Sequence, residues 1–264
     1  MKKHLLASLV LLGSGCATTA STMATATEHA ASAMTTGATT AAYQALLTDP
    51  SRLPSDRELD PQRKPAEILT FIGLKPGMKA ADLGAGGGYT TELLSRAVGP
   101  TGSVYAQNPA PFVKFAGQAL TDRLARPGLQ NVTRLDREFD APFPPEVKDL
   151  DAVVIHAVYH DTTWLKTDRE KMNRAIFAAL KPGGAYIVID SSARPGTGIA
   201  DAETLHRIDE QLVSAEVLKA GFKLDASGDF LRNPADTRDW NVSPREAAAK
   251  RGTGDRFALR FVKP

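Results

Sequence analysis

From about Tyr43 to the C-terminus the chain alternates short apolar runs with longer amphipathic ones, and this alternation narrows its folding options more than any other feature. Strand-like runs fall at Met78–Leu83, Val104–Gln107, Val132–Leu135, Leu150–Ala157, Ala185–Ile189, Phe222–Leu224 and Phe257–Val262. Helix-like runs fall between them, at Pro65–Ile72, Thr90–Val98, Pro111–Ala125, Asp168–Leu180 and Ala202–Ala220. Strands separated by helices need right-handed crossovers, so the pattern predicts an α/β fold: a doubly wound, mostly parallel sheet covered on both faces. Leu150–Ala157 is the most continuously apolar strand and is expected at the centre of the sheet. Ligands of such sheets bind at the carboxyl ends of the strands.

Asp82-Leu83-Gly84-Ala85-Gly86-Gly87-Gly88 stands at such an end. Glycines permit a tight strand-to-helix turn and a close approach of backbone to ligand, and the helix start offers free amide donors. A turn of this kind can hold a dinucleotide pyrophosphate or simply pack a helix on a strand. The dinucleotide fingerprint, however, begins with glycine and needs an acidic residue about 20 positions later. Here Asp82 comes two residues before the first glycine, and the second strand ends in Gln107-Asn108.

With Asp82, Gly84, Gly86 and Gly88 in this spacing, and Lys181-Pro182-Gly183-Gly184 turning into a later strand, the chain resembles the class I S-adenosylmethionine-dependent methyltransferases. The resemblance runs from about Arg52 to Pro264. Arg57, Asp60, Arg63-Lys64-Pro65, Asp255-Arg256-Phe257 and Phe261-Val262-Lys263-Pro264 are similar to a group of exported bacterial methyltransferases. The resemblance implies a seven-stranded, Rossmann-like single domain over residues 43–264 and S-adenosylmethionine as cofactor. Gly84, Gly86 and Gly88 would pass close to its methionine part, Asp82 would orient the loop or meet the ammonium through water, and Tyr89 and Thr90 would add contacts. The family's ribose-binding acid at the end of the second strand is replaced by Asn108, which accepts only neutral hydrogen bonds. Asp136, ending the third strand, would meet the adenine amino group or be a solvated carboxylate.

The densest polar cluster, His156, Tyr159, His160 and Asp161, follows the fourth strand, which in this fold borders the transferring methyl group. Methyl transfer to a small-molecule acceptor needs alignment and, for a hydroxyl, removal of a proton. His156 or His160 is the expected base, Tyr159 an aromatic wall and Asp161 an orienting group. The opposing reading is a strand-ending histidine bonded to a loop and an Asp161-Thr162-Thr163 helix cap. A divalent ion on His156, His160 and Asp161 lacks a clear further ligand, so no metal is expected. Asp190 and Arg232-Asn233-Pro234 are expected at the cleft edge, and Arg57, Arg63 and Lys64 as a basic entrance for an anion.

The first 16 residues read differently. Met1-Lys2-Lys3-His4 is a basic head and Leu5–Leu12 an apolar run too short to span a hydrocarbon core, which together read as an export signal. Leu12-Gly13-Ser14-Gly15-Cys16 resembles a lipobox, with Gly13 in the place usually held by leucine; lipidation at Cys16 would give a periplasmic, membrane-anchored lipoprotein. Cleavage after Ala20 would instead release a soluble chain. Residues 17–42, rich in Ala, Thr and Ser, read as a disordered tether. Cys16 is the one cysteine, so thiol catalysis and internal disulfides are excluded. The 32 basic and 30 acidic residues are interspersed and net +2, giving no basic patch for nucleic acid. Beside the enzyme reading stands an exported binding protein on the same scaffold, which the Asn108 replacement and the cytosolic origin of the cofactor favour.

Overall fold

A computed structural model describes Met1 and residues 41–264. The export signal, Cys16 and all of the tether but residues 41–42 lie outside the described residues. Residues 41–47 are helical (α1), so those last two residues of the expected tether are helical instead. Then follow α2 (Pro54–Arg63), α3 (Pro65–Ile72), β1 (Lys79–Leu83), α4 (Tyr89–Val98), β2 (Ser103–Asn108), α5 (Ala110–Leu124), β3 (Val132–Asp136) and β4 (Leu150–His156). The second half holds α6 (Asp161–Trp164), α7 (Arg169–Ala179), β5 (Leu180–Ser191), α8 (Ala202–Leu205), α9 (Glu210–Lys219), β6 (Lys223–Gly228) and β7 (Arg256–Val262).

The seven strands lie in the order β3-β2-β1-β4-β5-β7-β6. Strands β1 to β5 run parallel, and β7 is antiparallel to both β5 and β6. β4 is the middle strand, as its unbroken apolar run implied. The order reverses between β1 and β4, which puts the carboxyl ends of these two strands at the switch point where such sheets bind ligands.

Alternate residues of each strand feed two cores. In β5, Tyr186 and Val188 join Met172, Ile176, Val213 and Phe261 on one face, while Ile187 and Ile189 join Leu69, Leu94 and Ala258 on the other. Both cores are buried, and at roughly 25 cal/mol per Å² of apolar surface removed from water they supply the main driving force for the fold.

Two expectations are corrected. The helix expected over Ala202–Ala220 is broken into α8 and α9: His206 is left-handed (φ 54°), and the Ile208 amide donates to the Ser191 carbonyl at 3.0 Å. Arg207, fully buried, pairs with Asp236 at 2.8 Å, and Asp209 caps α9 through the Gln211 amide at 2.9 Å. Holding Arg207 inward and Ile208 in register with β5 is incompatible with a continuous helix. The fifth strand also begins earlier than expected, at Leu180 beside Leu150, and the Lys181–Gly184 turn is an irregularity within it.

α2 escaped the sequence reading because its residues are overwhelmingly polar. Ion pairs fasten it. Arg123 of α5 reaches Asp56 at 2.6 Å and Glu92 of α4 at 2.5 Å, and Arg52 meets Asp60 at 2.5 Å. Removing one partner of such a buried pair strands the other charge, at a cost of about 3 to 5 kcal/mol.

Candidate active site

The glycine loop joins β1 to α4 as expected, with Gly84, Gly86 and Gly88 all at positive φ. Gly88 is required by packing: a Cβ there would fall 2.8 Å from Arg123 Cδ and 2.9 Å from Leu120 Cδ1. Gly86 differs, since a Cβ on it would meet nothing within 4 Å, so its backbone borders open space that a ligand can approach. Beneath the loop, Asp82 is 2 % exposed and accepts a 2.6 Å hydrogen bond from Thr91 Oγ1. Burial raises its carboxyl to about 7. Asp82 therefore fixes the first turn of α4 from below and does not face a ligand.

Asn108 is fully buried, and its side chain is committed to the loop: Gly86 N–H donates to its Oδ1 at 2.8 Å and its Nδ2 donates to the Gly86 carbonyl at 3.0 Å. Gln107 does similar work, its Oε1 accepting from Gly84 N–H at 3.1 Å. The residue expected at the ribose is thus a brace for the loop. Asp136 ends β3 half-exposed and pairs with Arg134 at 2.7 Å, as a solvated carboxylate does.

Tyr89 opens α4, its hydroxyl donating to Asp60 Oδ1 at 2.7 Å, and the Arg63 guanidinium lies 4.3 Å over its ring. Burial and Asp60 raise the Tyr89 hydroxyl well above its ordinary range. Thr90 Oγ1 is 3.3 Å from His156 Nδ1. Arg63 and Arg256 make no ion pair among the described residues; the latter donates to the Gln62 carbonyl. Burial pushes both guanidiniums down, Arg256 to about 10, and each is lowered further by a neighbouring arginine, Arg63 by Arg123 and Arg256 by Arg63. Of the expected basic entrance only Arg63 lines the cavity: Arg57 is exposed, and Lys64 donates to the Phe230 carbonyl.

The cavity, about 620 Å³, lies at the carboxyl ends of β4 and β5. α2 contributes Arg63, the first half of α5 Phe112 and Phe115, the loop after β4 His160, α6 Asp161 and Trp164, and the 240–256 segment Trp240 and Arg256. The glycine loop is not itself among the lining residues; Arg63, stacked on Tyr89, spans from one to the other.

The polar cluster after β4 is divided by Ala157, which is left-handed at φ 59°. Tyr159 turns into the core, fully buried, donating to Glu216 at 2.8 Å and accepting from Asn173 at 3.0 Å. It is not an aromatic wall. His160 faces the cavity, its Nδ1 2.8 Å from Asp190 Oδ1, its Nε2 3.2 Å from both His206 Nδ1 and Asp161 Oδ1. Asp161 starts α6 without a side-chain cap, its Oδ1 accepting from Trp164 Nε1 at 3.0 Å.

Neither histidine has the basicity expected of it. Burial, Arg63 and Arg256 push His156 down to about 3, which leaves it neutral and a weak proton acceptor. His160 is raised to about 10, because the attraction of Asp190 and Asp161 outweighs its desolvation. Asp190 faces His160, not the open edge, and Arg232 pairs with Glu210 at 2.7 Å. His206 and Arg256 were missed as site residues: one lies inside an apparent helix, the other at the mouth of the last strand, and neither sits in a local motif.

Three comparisons agree on the fold. Residues 81–188 match a family model described as a methyltransferase domain. A crystal structure of a SAM-dependent methyltransferase from Aquifex aeolicus superposes with a TM-score of 0.55 at 21% identity, covering 80% of this chain and 97% of that one. The chain is 32% identical over 120 residues to a ubiquinone/menaquinone biosynthesis C-methyltransferase, UbiE, of Pasteurella multocida, covering 46% of this chain and 42% of that protein. It is 27% identical over 143 residues to a protein-L-isoaspartate O-methyltransferase of Pyrococcus horikoshii, covering 54% and 57%. The chain thus spans about half the length of the curated relatives it matches. The fold is the class I methyltransferase fold.

Proposed function

We propose that this chain is a class I S-adenosylmethionine-dependent methyltransferase acting on a small-molecule acceptor. The observation that carries the reading is the pair Arg63 and Arg256: two partly buried guanidiniums that make no ion pair among the described residues, whose burial is offset only in part by Asp56 and Asp60 near the first and Asp255 near the second, one of them stacked on the residue that follows the glycine loop. Incompletely compensated buried charge is costly unless a ligand neutralises it. A carboxylate, such as that of the cofactor's methionine part, fits two guanidiniums through charge-assisted hydrogen bonds. The open side of Gly86 admits the cofactor backbone-close, and Asn108 and Gln107 hold the loop in the shape that does so. When bound, S-adenosylmethionine supplies a methyl group already activated by its sulfonium.

The chain's own contribution is alignment and exclusion of water. Phe112, Phe115 and Trp164 give the open cavity an apolar wall and rim, which a bound cofactor and acceptor would cover. His156 is neutral and weakly basic and His160 is held by two carboxylates, so neither histidine of the β4 cluster is poised to take a proton near pH 7; His206, half-buried in the cavity wall and lowered by burial and by His160, is the remaining imidazole there. An acceptor whose attacking atom is already anionic would need no proton removed by the β4 cluster. A small-molecule acceptor also accords with the C-methyltransferases named among the relatives.

The test compares S-adenosylhomocysteine with methylthioadenosine, which lacks the amino-acid part, by calorimetry. The intact chain should prefer S-adenosylhomocysteine, and Arg63→Met should reduce that preference about tenfold or more. Equal affinities for the intact chain would contradict the reading.

Export and lipidation at Cys16 remain a separate proposal, supported by the basic head, the apolar run and the lipobox-like segment. Cys16→Ser should move the chain from the membrane to the soluble fraction; retention in the membrane would contradict it. Among the described residues no helix is long and apolar enough to cross a membrane.

A further inference from the structure

We propose that His160, Asp161 and His206 form a divalent-metal site in the cavity wall, with Asp190 fixing the orientation of His160. The inference is independent of the methyl-transfer reading. His160 Nε2, His206 Nδ1 and Asp161 Oδ1 lie within 4.8 Å of one another. Their separations are 3.2 Å from His160 to His206, 3.2 Å from His160 to Asp161, and 3.9 Å from His206 to Asp161. Ligand atoms about 2.0 to 2.2 Å from one ion at the tetrahedral angle are about 3.3 to 3.6 Å apart. A charge-assisted N–H···O bond is shorter, about 2.7 to 2.9 Å. The three separations lie on either side of that range, so small side-chain shifts bring all three atoms onto one ion, whereas His160 Nδ1 to Asp190, at 2.8 Å, is a direct hydrogen bond.

Asp190 supplies the second observation. It is fully buried, with Oδ2 accepting the His160 amide at 2.8 Å and Oδ1 facing the ring Nδ1. A carboxylate accepting Nδ1–H turns Nε2 towards the cluster, the arrangement that orients metal-binding histidines, and an ion bound there takes the place of the Nε2 proton. His206 is brought there by its left-handed backbone between α8 and α9, with Arg207 and Ile208 beyond it anchored to Asp236 and Ser191. Asp161 is steadied by Trp164 Nε1. All three ligands line the cavity, so coordination positions open onto it and can take water or an oxygen of a bound molecule. Two imidazoles and one carboxylate favour a borderline first-row ion such as Zn²⁺ over Mg²⁺ or Ca²⁺, which prefer all-oxygen sites.

The test is titration of the chelator-stripped full chain with Zn²⁺, read by bound metal after dialysis and by thermal shift. The expected result is one Zn²⁺ per chain with a Kd below about 10 μM, lost in His206→Ala and weakened about 10- to 100-fold in Asp190→Asn. Failure to bind at 100-fold higher Zn²⁺ would overturn the proposal, and so would unchanged affinity in folded His206→Ala. Should that variant not fold, Co²⁺ on the intact chain decides: visible bands of a low-coordinate Co²⁺ support the site, and only the spectrum of hexaaquo Co²⁺ overturns it.

Discussion

Asn108 and Gly86 exchange two hydrogen bonds, amide to Oδ1 at 2.8 Å and Nδ2 to carbonyl at 3.0 Å, so the end of β2 locks the turn that leaves β1. Only a side chain with both a donor and an acceptor can make this pair. Asn108→Asp keeps the acceptor, loses the donor and sets a carboxylate against the Gly86 carbonyl. It should lower stability by about 1 to 3 kcal/mol and weaken S-adenosylhomocysteine binding. If Asn108 instead served the ribose, the carboxylate would improve binding; denaturant unfolding and calorimetry on the one variant decide.

Asp82 gives a pH dependence of unusual sign. Its folded pKa, about 7, lies above the unfolded value because burial disfavours the charge. The folded state holds the proton that the unfolded state has released, so this contribution is full below about pH 4 and is lost as pH rises towards 7. Asp82→Asn can still accept from Thr91 and carries no charge. Relative to the parent chain it should gain on the order of a few kcal/mol between pH 4 and 8; parallel stability profiles would refute the assignment.

His156 acts in the opposite direction. Burial and the two arginine charges hold it at about 3 in the folded chain, against about 6.5 when unfolded. Its contribution is present above about pH 6.5 and is lost as pH falls towards 3, where the unfolded chain takes up a proton that the folded chain refuses. His156→Gln should flatten the acid side of the stability profile, measured as the difference from the parent chain.

Arg63 should trade stability for binding. Its charge is disfavoured by burial and faces no acidic partner within ion-pair distance among the described residues. Arg63→Met keeps much of the contact with Tyr89, and Tm should rise by about 2 to 4 °C, the shift expected for roughly 1 kcal/mol in a chain of this size. A lower Tm, in scanning calorimetry without ligand, would indicate that the guanidinium is structural.

The sheet was legible because periodicity and glycine spacing are local: β1, the loop and α4 stand within a residue or so of where the sequence puts them. α2 was invisible because ion pairs to Arg123 and Arg52, not an apolar stripe, hold it. The β4 cluster is legible as a set but its roles are not: the left-handed Ala157 separates His156 from the other three, and of the adjacent Tyr159 and His160 the first is buried in the core and the second lines the cavity. His206 lies 46 residues beyond His160 in sequence. No local pattern signals that the helix there breaks to deliver it.

The central claim is that the turn after β1 receives S-adenosylmethionine, and titration with S-adenosylhomocysteine by isothermal calorimetry tests it most directly. One site per chain with a Kd in the micromolar range, about −8 kcal/mol, is the expected result, abolished by Gly86→Asp, which puts a carboxylate into the open space at that glycine; circular dichroism of the variant checks that the strain of a side chain at φ 56° has not unfolded it. No heat at about 1 mM ligand, or binding that Gly86→Asp leaves unchanged, would contradict it.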